Sequence, residues 1–97
     1  MSDDSYDALC TAFDKYLNAN DYAPERLKKQ LTDHAGLARN VQARDGLRNA
    51  IDHSGLAPEV FEGITNSLID TQDEVDAWLA GLWAYVYEDG PRPDLPN

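Results

Sequence analysis

Apolar side chains recur along the chain at steps of three and four and nowhere alternate over a strand-length run, which is the pattern of helices that bury one face. Tyr6, Leu9, Cys10, Phe13, Tyr16 and Leu17 form the first stripe and predict a helix from about Asp4 to Asn18. Asn18-Ala19-Asn20-Asp21 is turn chemistry. Ala23-Pro24-Glu25 then puts proline at a first helical position, where its missing amide hydrogen costs nothing, with an acid in the first turn. The second helix begun there carries Leu27 and Leu31 inward and is expected to break near Gly36. Leu37, Val41, Leu47, Ala50 and Ile51 predict a third helical stretch of undefined start, its middle weakened by Gly46.

His53-Ser54-Gly55 supplies a glycine stop, and Ala57-Pro58-Glu59 repeats the proline start, so Val60, Phe61, Ile64, Leu68 and Ile69 fall on one face of a fourth helix. Thr71-Gln72-Asp73-Glu74 has capping-box spacing: the threonine oxygen takes one free backbone amide and the glutamate reaches back to another. A fifth helix follows, with Val75, Trp78, Leu79, Leu82 and Val86 as its inner stripe. Tyr85-Val86-Tyr87 is β-prone by composition but stays in helical phase. Asp89-Gly90-Pro91 ends it. The expected architecture is all-α, a compact bundle of four to five short helices forming a single domain over 1–91, with an extended C-terminal tail over 92–97.

Composition adds to this picture mainly through charge. A chain of 97 residues makes one core, and a hydrophobic share of 42% supports folding despite a formal net charge of −10. Met1-Ser2-Asp3-Asp4 is acidic where a secretory signal is basic, and no apolar run approaches a membrane span, so the expected compartment is the cytoplasm. The single cysteine, Cys10, lies on the first helix's apolar face and reads as a small core hydrophobe.

Seven of the eight basic residues, Lys15, Arg26, Lys28, Lys29, Arg39, Arg44 and Arg48, lie between positions 15 and 48. From Asn49 through Pro91 there is no lysine or arginine, whereas Asp52, Glu59, Glu62, Asp70, Asp73, Glu74, Asp76, Glu88 and Asp89 are all acidic. Solvated helix faces usually interleave signs, because like charges one turn apart repel by a few tenths of a kcal/mol. Periodicity places Glu59, Glu62, Asn66 and Asp70 on one side of the fourth helix, and Asp73, Asp76, Ala80 and Tyr87 on the outer side of the fifth. Trp83 falls at the shoulder between that side and the inner stripe, where a half-exposed indole ringed by carboxylates forms an anchor for a partner. The expected binding surface is therefore Glu59, Glu62, Asp70, Asp73, Asp76, Trp83, Tyr87, Glu88 and Asp89, and its expected partner is a basic protein. The plainer alternatives are a solubilising acid surface and a tryptophan that covers the edge of the core.

No pattern of catalytic, metal-ligating or phosphate-cradling residues emerges. His34 and His53 belong to no zinc motif, and Asp70, Asp73, Glu74 and Asp76 lack the EF-hand spacing and its turn glycine. Ser5, Ser54 and Ser67 have no nucleophile-elbow context. An enzyme, a cofactor and a metal are thus not expected. Ala50 to Ser67 resembles a helix-turn-helix, but its second helix carries Glu59 and Glu62 and no base, so direct nucleic-acid binding is not expected.

In size, acidity and helicity the chain resembles the small immunity proteins that bacteria pair with nuclease toxins of the colicin and contact-dependent inhibition kinds. That likeness of overall character implies inhibition of a basic toxin by tight binding, and it assigns no residue a role. Two other readings use the same features. A nucleic-acid mimic of the anti-restriction or anti-CRISPR sort would present its carboxylates as phosphate surrogates, and a structural or regulatory helical adaptor would bind through an apolar groove away from the acids.

Overall fold

A computed structural model describes residues 3–34 and 36–95. Five α-helices follow one another with short connections: α1 (Asp3–Tyr16), a 3₁₀ turn (Ala19–Asp21), α2 (Pro24–Asp33), α3 (Ala38–His53), α4 (Pro58–Thr65) and α5 (Gln72–Tyr87). No strand occurs among the described residues. The Cα radius of gyration is 12.0 Å, close to the ~13 Å of a single compact domain of about 100 residues.

Three of the five helices, α2, α4 and α5, begin for a reason the sequence states. Pro24 and Pro58 open α2 and α4, whose N-cap alanines offer no side-chain cap. Thr71 caps α5 by accepting the Glu74 amide at 3.2 Å. The reciprocal contact is displaced by one residue from the expected box: the Glu74 carboxylate takes the Asp70 amide at 3.3 Å. Helix ends depart more from expectation. The left-handed stop after α3 is Ser54, at φ 51°, rather than Gly55, and the α5 exit uses Asp89, at φ 56°, rather than Gly90. Most consequentially, α4 stops at Thr65 because Asn66 turns left-handed at φ 58°. Asn66, Leu68, Ile69 and Asp70 therefore lie on the α4–α5 connection and not on a helix face. Leu37 likewise is the exposed N-cap of α3 and not one of its inward residues.

The core is one cluster. Leu9, Phe13 and Leu17 meet Leu27 and Leu31 of α2, Ala43, Leu47 and Ala50 of α3, Phe61 of α4, and Val75, Leu79, Leu82 and Val86 of α5. Two connection residues, Leu56 and Ile69, complete it. Burying each such large side chain contributes about 1.5–3 kcal/mol before ordering entropy is subtracted. The most extensive helix pairing is α1 on α3. Gly46, read in the sequence as a weak point, is what permits it: a Cβ there would stand 2.4 Å from the Ser5 carbonyl oxygen. Cys10 is half-buried beside Tyr6, and burial pushes its thiol above the ordinary range.

Residues 92–95 fold back onto the bundle. The Trp78 indole N–H donates to the Asp94 carbonyl at 2.8 Å, and the Tyr22 hydroxyl donates to the Pro93 carbonyl. Arg92 pairs with Glu25 and lies 5.3 Å from the Tyr22 ring centroid. Positions 96 and 97 of the expected tail lie outside the described residues.

Candidate functional site

The α4–α5 connection is built to hold a fixed shape. Asn66 starts it through its left-handed backbone, and its amide closes α4 on the Glu62 carbonyl at 2.8 Å. The Thr65 hydroxyl, fully buried, donates to the Phe61 carbonyl at 2.8 Å. The Glu62 carboxylate reaches forward to accept the Ile69 amide at 3.2 Å, and Ile69 drops into the core. With Ser67 and Ile69 both buried, the residue between them is turned out: Leu68 is 69% exposed, well above the other exposed large hydrophobic side chain, Leu37 at 54%. Next along the chain, the Asp70 amide donates to Glu74, so the two backbone amides that follow Leu68 are each taken by an acid of a neighbouring helix.

The acids that flank that leucine in the sequence are unneutralised among the described residues. Glu59, Glu62, Asp70, Asp73 and Glu74 form no ion pair among the described residues. Glu59, Asp70, Asp73 and Glu74 are exposed and Glu62 is partly so. A one-signed field around a projecting apolar side chain is the arrangement that accelerates encounter with a basic surface and then gives it something to bury.

The other expected members of the surface are placed differently. Asp76 has both oxygens engaged within the fold: one accepts the Ser54 hydroxyl at 2.6 Å, the other the Gln72 amide at 3.0 Å. Gln72 also donates to the Leu56 carbonyl at 2.7 Å, so this trio ties the α3–α4 connection to α5. Asp89 pairs with Lys28 of α2 at 3.2 Å. Glu88 lies within electrostatic reach of Arg48.

Trp83 is half-buried, and its face is covered by the Arg48 guanidinium, 5.0 Å from the ring centroid. Arg48 is held there by Asp52 at 2.7 Å, an i,i+4 pair that keeps the Asp52 carboxyl below the usual range. Tyr87 packs beside Trp83, with ring centroids 4.5 Å apart. The expected ring of carboxylates is thus an intramolecular stack of cation and aromatics, and Trp83 covers the edge of the core. Trp78 turns its edge to Phe61 at 5.1 Å.

Of the expected surface, Glu59, Glu62, Asp70 and Asp73 lie on α4, the connection and the start of α5, as do Glu74 and Leu68, whereas Asp76, Trp83, Tyr87, Glu88 and Asp89 each meet neighbours within the fold. Asn66 was the sequence signal for Leu68, since asparagine is among the few residues that adopt the left-handed conformation at low cost. Among the described residues no three His, Cys, Asp or Glu side chains are grouped so as to hold a metal ion, and no helix is long and apolar enough to cross a membrane. Comparison with family models, curated proteins and solved structures returned no match.

Proposed function

We propose that the chain is a protein-binding inhibitor that docks a basic partner on the α4–α5 connection, in the manner of an immunity protein neutralising a nuclease toxin. The observation that carries this reading is Leu68, 69% exposed on the α4–α5 connection, whose flanking acids Glu59, Glu62, Asp70, Asp73 and Glu74 form no ion pair among the described residues. A solubilising surface has no need of a projecting leucine held out by a rigid connection. A nucleic-acid mimic, the second reading, presents a row of anions to groups that bind phosphate, and an apolar residue at its centre serves that role poorly. Burial of Leu68 supplies slow release, and the acids supply fast, salt-sensitive association.

The test is inhibition of a panel of basic bacterial nuclease toxin domains, with association and dissociation rates measured for each one inhibited. Leu68→Ala is expected to speed dissociation roughly tenfold, the scale of a hot-spot truncation, without altering the melt. Asp70→Lys with Asp73→Lys is expected to slow association and weaken its salt dependence. Lys29→Glu, on the basic half, serves as control. Failure of the parent to inhibit any nuclease, or loss of binding in the control but not in the Leu68 variant, refutes the proposal.

A further inference from the structure

Arg92 is the only lysine or arginine after Arg48, and a proline stands on each side of it, at 91 and 93. Proline fixes its own backbone angle and has no amide hydrogen, so such a stretch stays extended, presents carbonyl acceptors and asks for few donors in return. The left-handed Asp89 and the Gly90 amide, bonded to the Ala84 carbonyl at 2.8 Å, turn the chain back onto the bundle. There it meets three side chains. The Tyr22 hydroxyl donates to the Pro93 carbonyl and the Trp78 indole N–H to the next one, that of Asp94, at 2.8 Å. Arg92 lies 5.3 Å from the Tyr22 ring centroid and pairs with Glu25.

The receiving side is set by the helices and not by the segment it holds. Trp78 packs edge-on against the fully buried Phe61, with ring centroids 5.1 Å apart. Tyr22 follows the 3₁₀ turn, and the amide of its successor Ala23 donates to the Tyr16 carbonyl at 2.7 Å. Glu25 stands in the first turn of α2, next to the buried Pro24. Burial pushes the Tyr22 phenol up to about 12, so at neutral pH it keeps its proton and donates. Two fixed donors that read consecutive backbone carbonyls accept any extended chain, whereas an aromatic face beside a carboxylate selects a guanidinium. Aromatic grooves that capture proline-rich chains work on the same principle. The segment sits in this groove shallowly: Pro93 and Leu95 are half-buried, and Arg92 and Asp94 are exposed.

We infer that the groove formed by Tyr22, Glu25 and Trp78 is a docking site for an extended arginine–proline segment of another protein, and that residues 92–95 hold that place as an internal competitor. An incoming segment of the same chemistry makes the same contacts, and its apparent affinity is reduced by the fraction of molecules in which the groove is already filled. The site uses none of the residues of the α4–α5 connection and does not depend on the proposed inhibitory role.

The probe is a blocked peptide with the sequence of residues 91–95, titrated into isotopically labelled full-length protein while the Trp78 indole N–H resonance is followed. Arg92→Glu sets two carboxylates against each other at Glu25 and frees the groove, so this variant should bind the peptide at least about tenfold more tightly than the parent, with a saturable indole shift. Tyr22→Phe added to it should weaken binding by roughly three- to tenfold, the loss of one hydrogen bond. Glu25→Lys, an exposed change that also repels Arg92, should reverse the choice and take a peptide with glutamate in place of arginine. No saturable shift in the Arg92→Glu protein, equal affinity there for the arginine and glutamate peptides, or equal binding by that variant and the parent overturns the inference. So does a parent that doubles its mass in sedimentation as concentration rises and loses this association on Arg92→Glu, since the groove then takes the same segment of a second copy.

Discussion

Gly46→Ala separates two opposed effects of one methyl group. Within a helix, alanine is favoured over glycine by about 1 kcal/mol, so propensity alone predicts stabilisation. The structure predicts the reverse. The added Cβ would stand 2.4 Å from the Ser5 carbonyl oxygen, 3.0 Å from its carbon and 3.2 Å from the Leu9 Cβ, where ordinary contacts begin at 3.4 Å. Two of these neighbours are backbone, so no side-chain rotation relieves the clash, and α1 must move from α3 by about 1 Å along its most extensive pairing. Overpacking of that kind costs about 3 kcal/mol at the upper end of its usual range, leaving a net loss of about 2 kcal/mol. Gly63→Ala in α4 and Gly81→Ala in α5 are internal controls, since a Cβ at either meets nothing within 4 Å. Each should gain about 0.5–1 kcal/mol. Urea unfolding followed by far-ultraviolet circular dichroism measures all three. A Gly46 variant as stable as its parent, beside controls that gain, would falsify the account of how α1 and α3 pack.

Phe61→Ala and Leu79→Ala each empty a fully buried position and are expected to cost about 2–5 kcal/mol by the same assay; melts within a degree or two of the parent would show the core to be misassigned. Alkaline titration should find Tyr6, Tyr22 and Tyr87 late and the last two furthest, because burial raises all three phenols and pushes Tyr22 and Tyr87 up to about 12 from 10.0. Between those values the unfolded chain has lost phenolic protons that the folded chain retains, so stability should fall as pH rises through the window; five phenols ionising together near 10 with the helices intact would contradict this.

What the sequence revealed followed from local rules. The stripes of α1 and α5, the two proline starts and the Thr71 cap are set by residues within one or two turns of each other, and all are present in the structure. What it concealed depends on distant partners or on single backbone angles. Phe61, Ile64 and Leu68 keep helical spacing, so periodicity extended α4 through a residue that in fact stands in solvent; one left-handed asparagine decided otherwise. Trp83 was placed among acids by counting along its own helix, whereas its face is covered by Arg48, 35 positions earlier in the sequence. Asp76 counted as an outward charge because nothing local shows that Ser54 and Gln72 both bond it. Gly46 was judged by propensity, which knows nothing of the helix packed across from it.

The returning segment over 92–95 has a dynamic consequence. It contributes no fully buried residue and is held to the helices by two hydrogen bonds to its carbonyls and by the Arg92–Glu25 pair, all at or near the surface. Segments of that kind open at a small fraction of the global unfolding free energy, so it is expected to detach while the five helices stay assembled. One of its attachments is the indole of Trp78, one of only two tryptophans. Tryptophan emission should therefore report two events, an early local release and the later collapse of the core, and the fluorescence melt should lead the helical one by the interval between them.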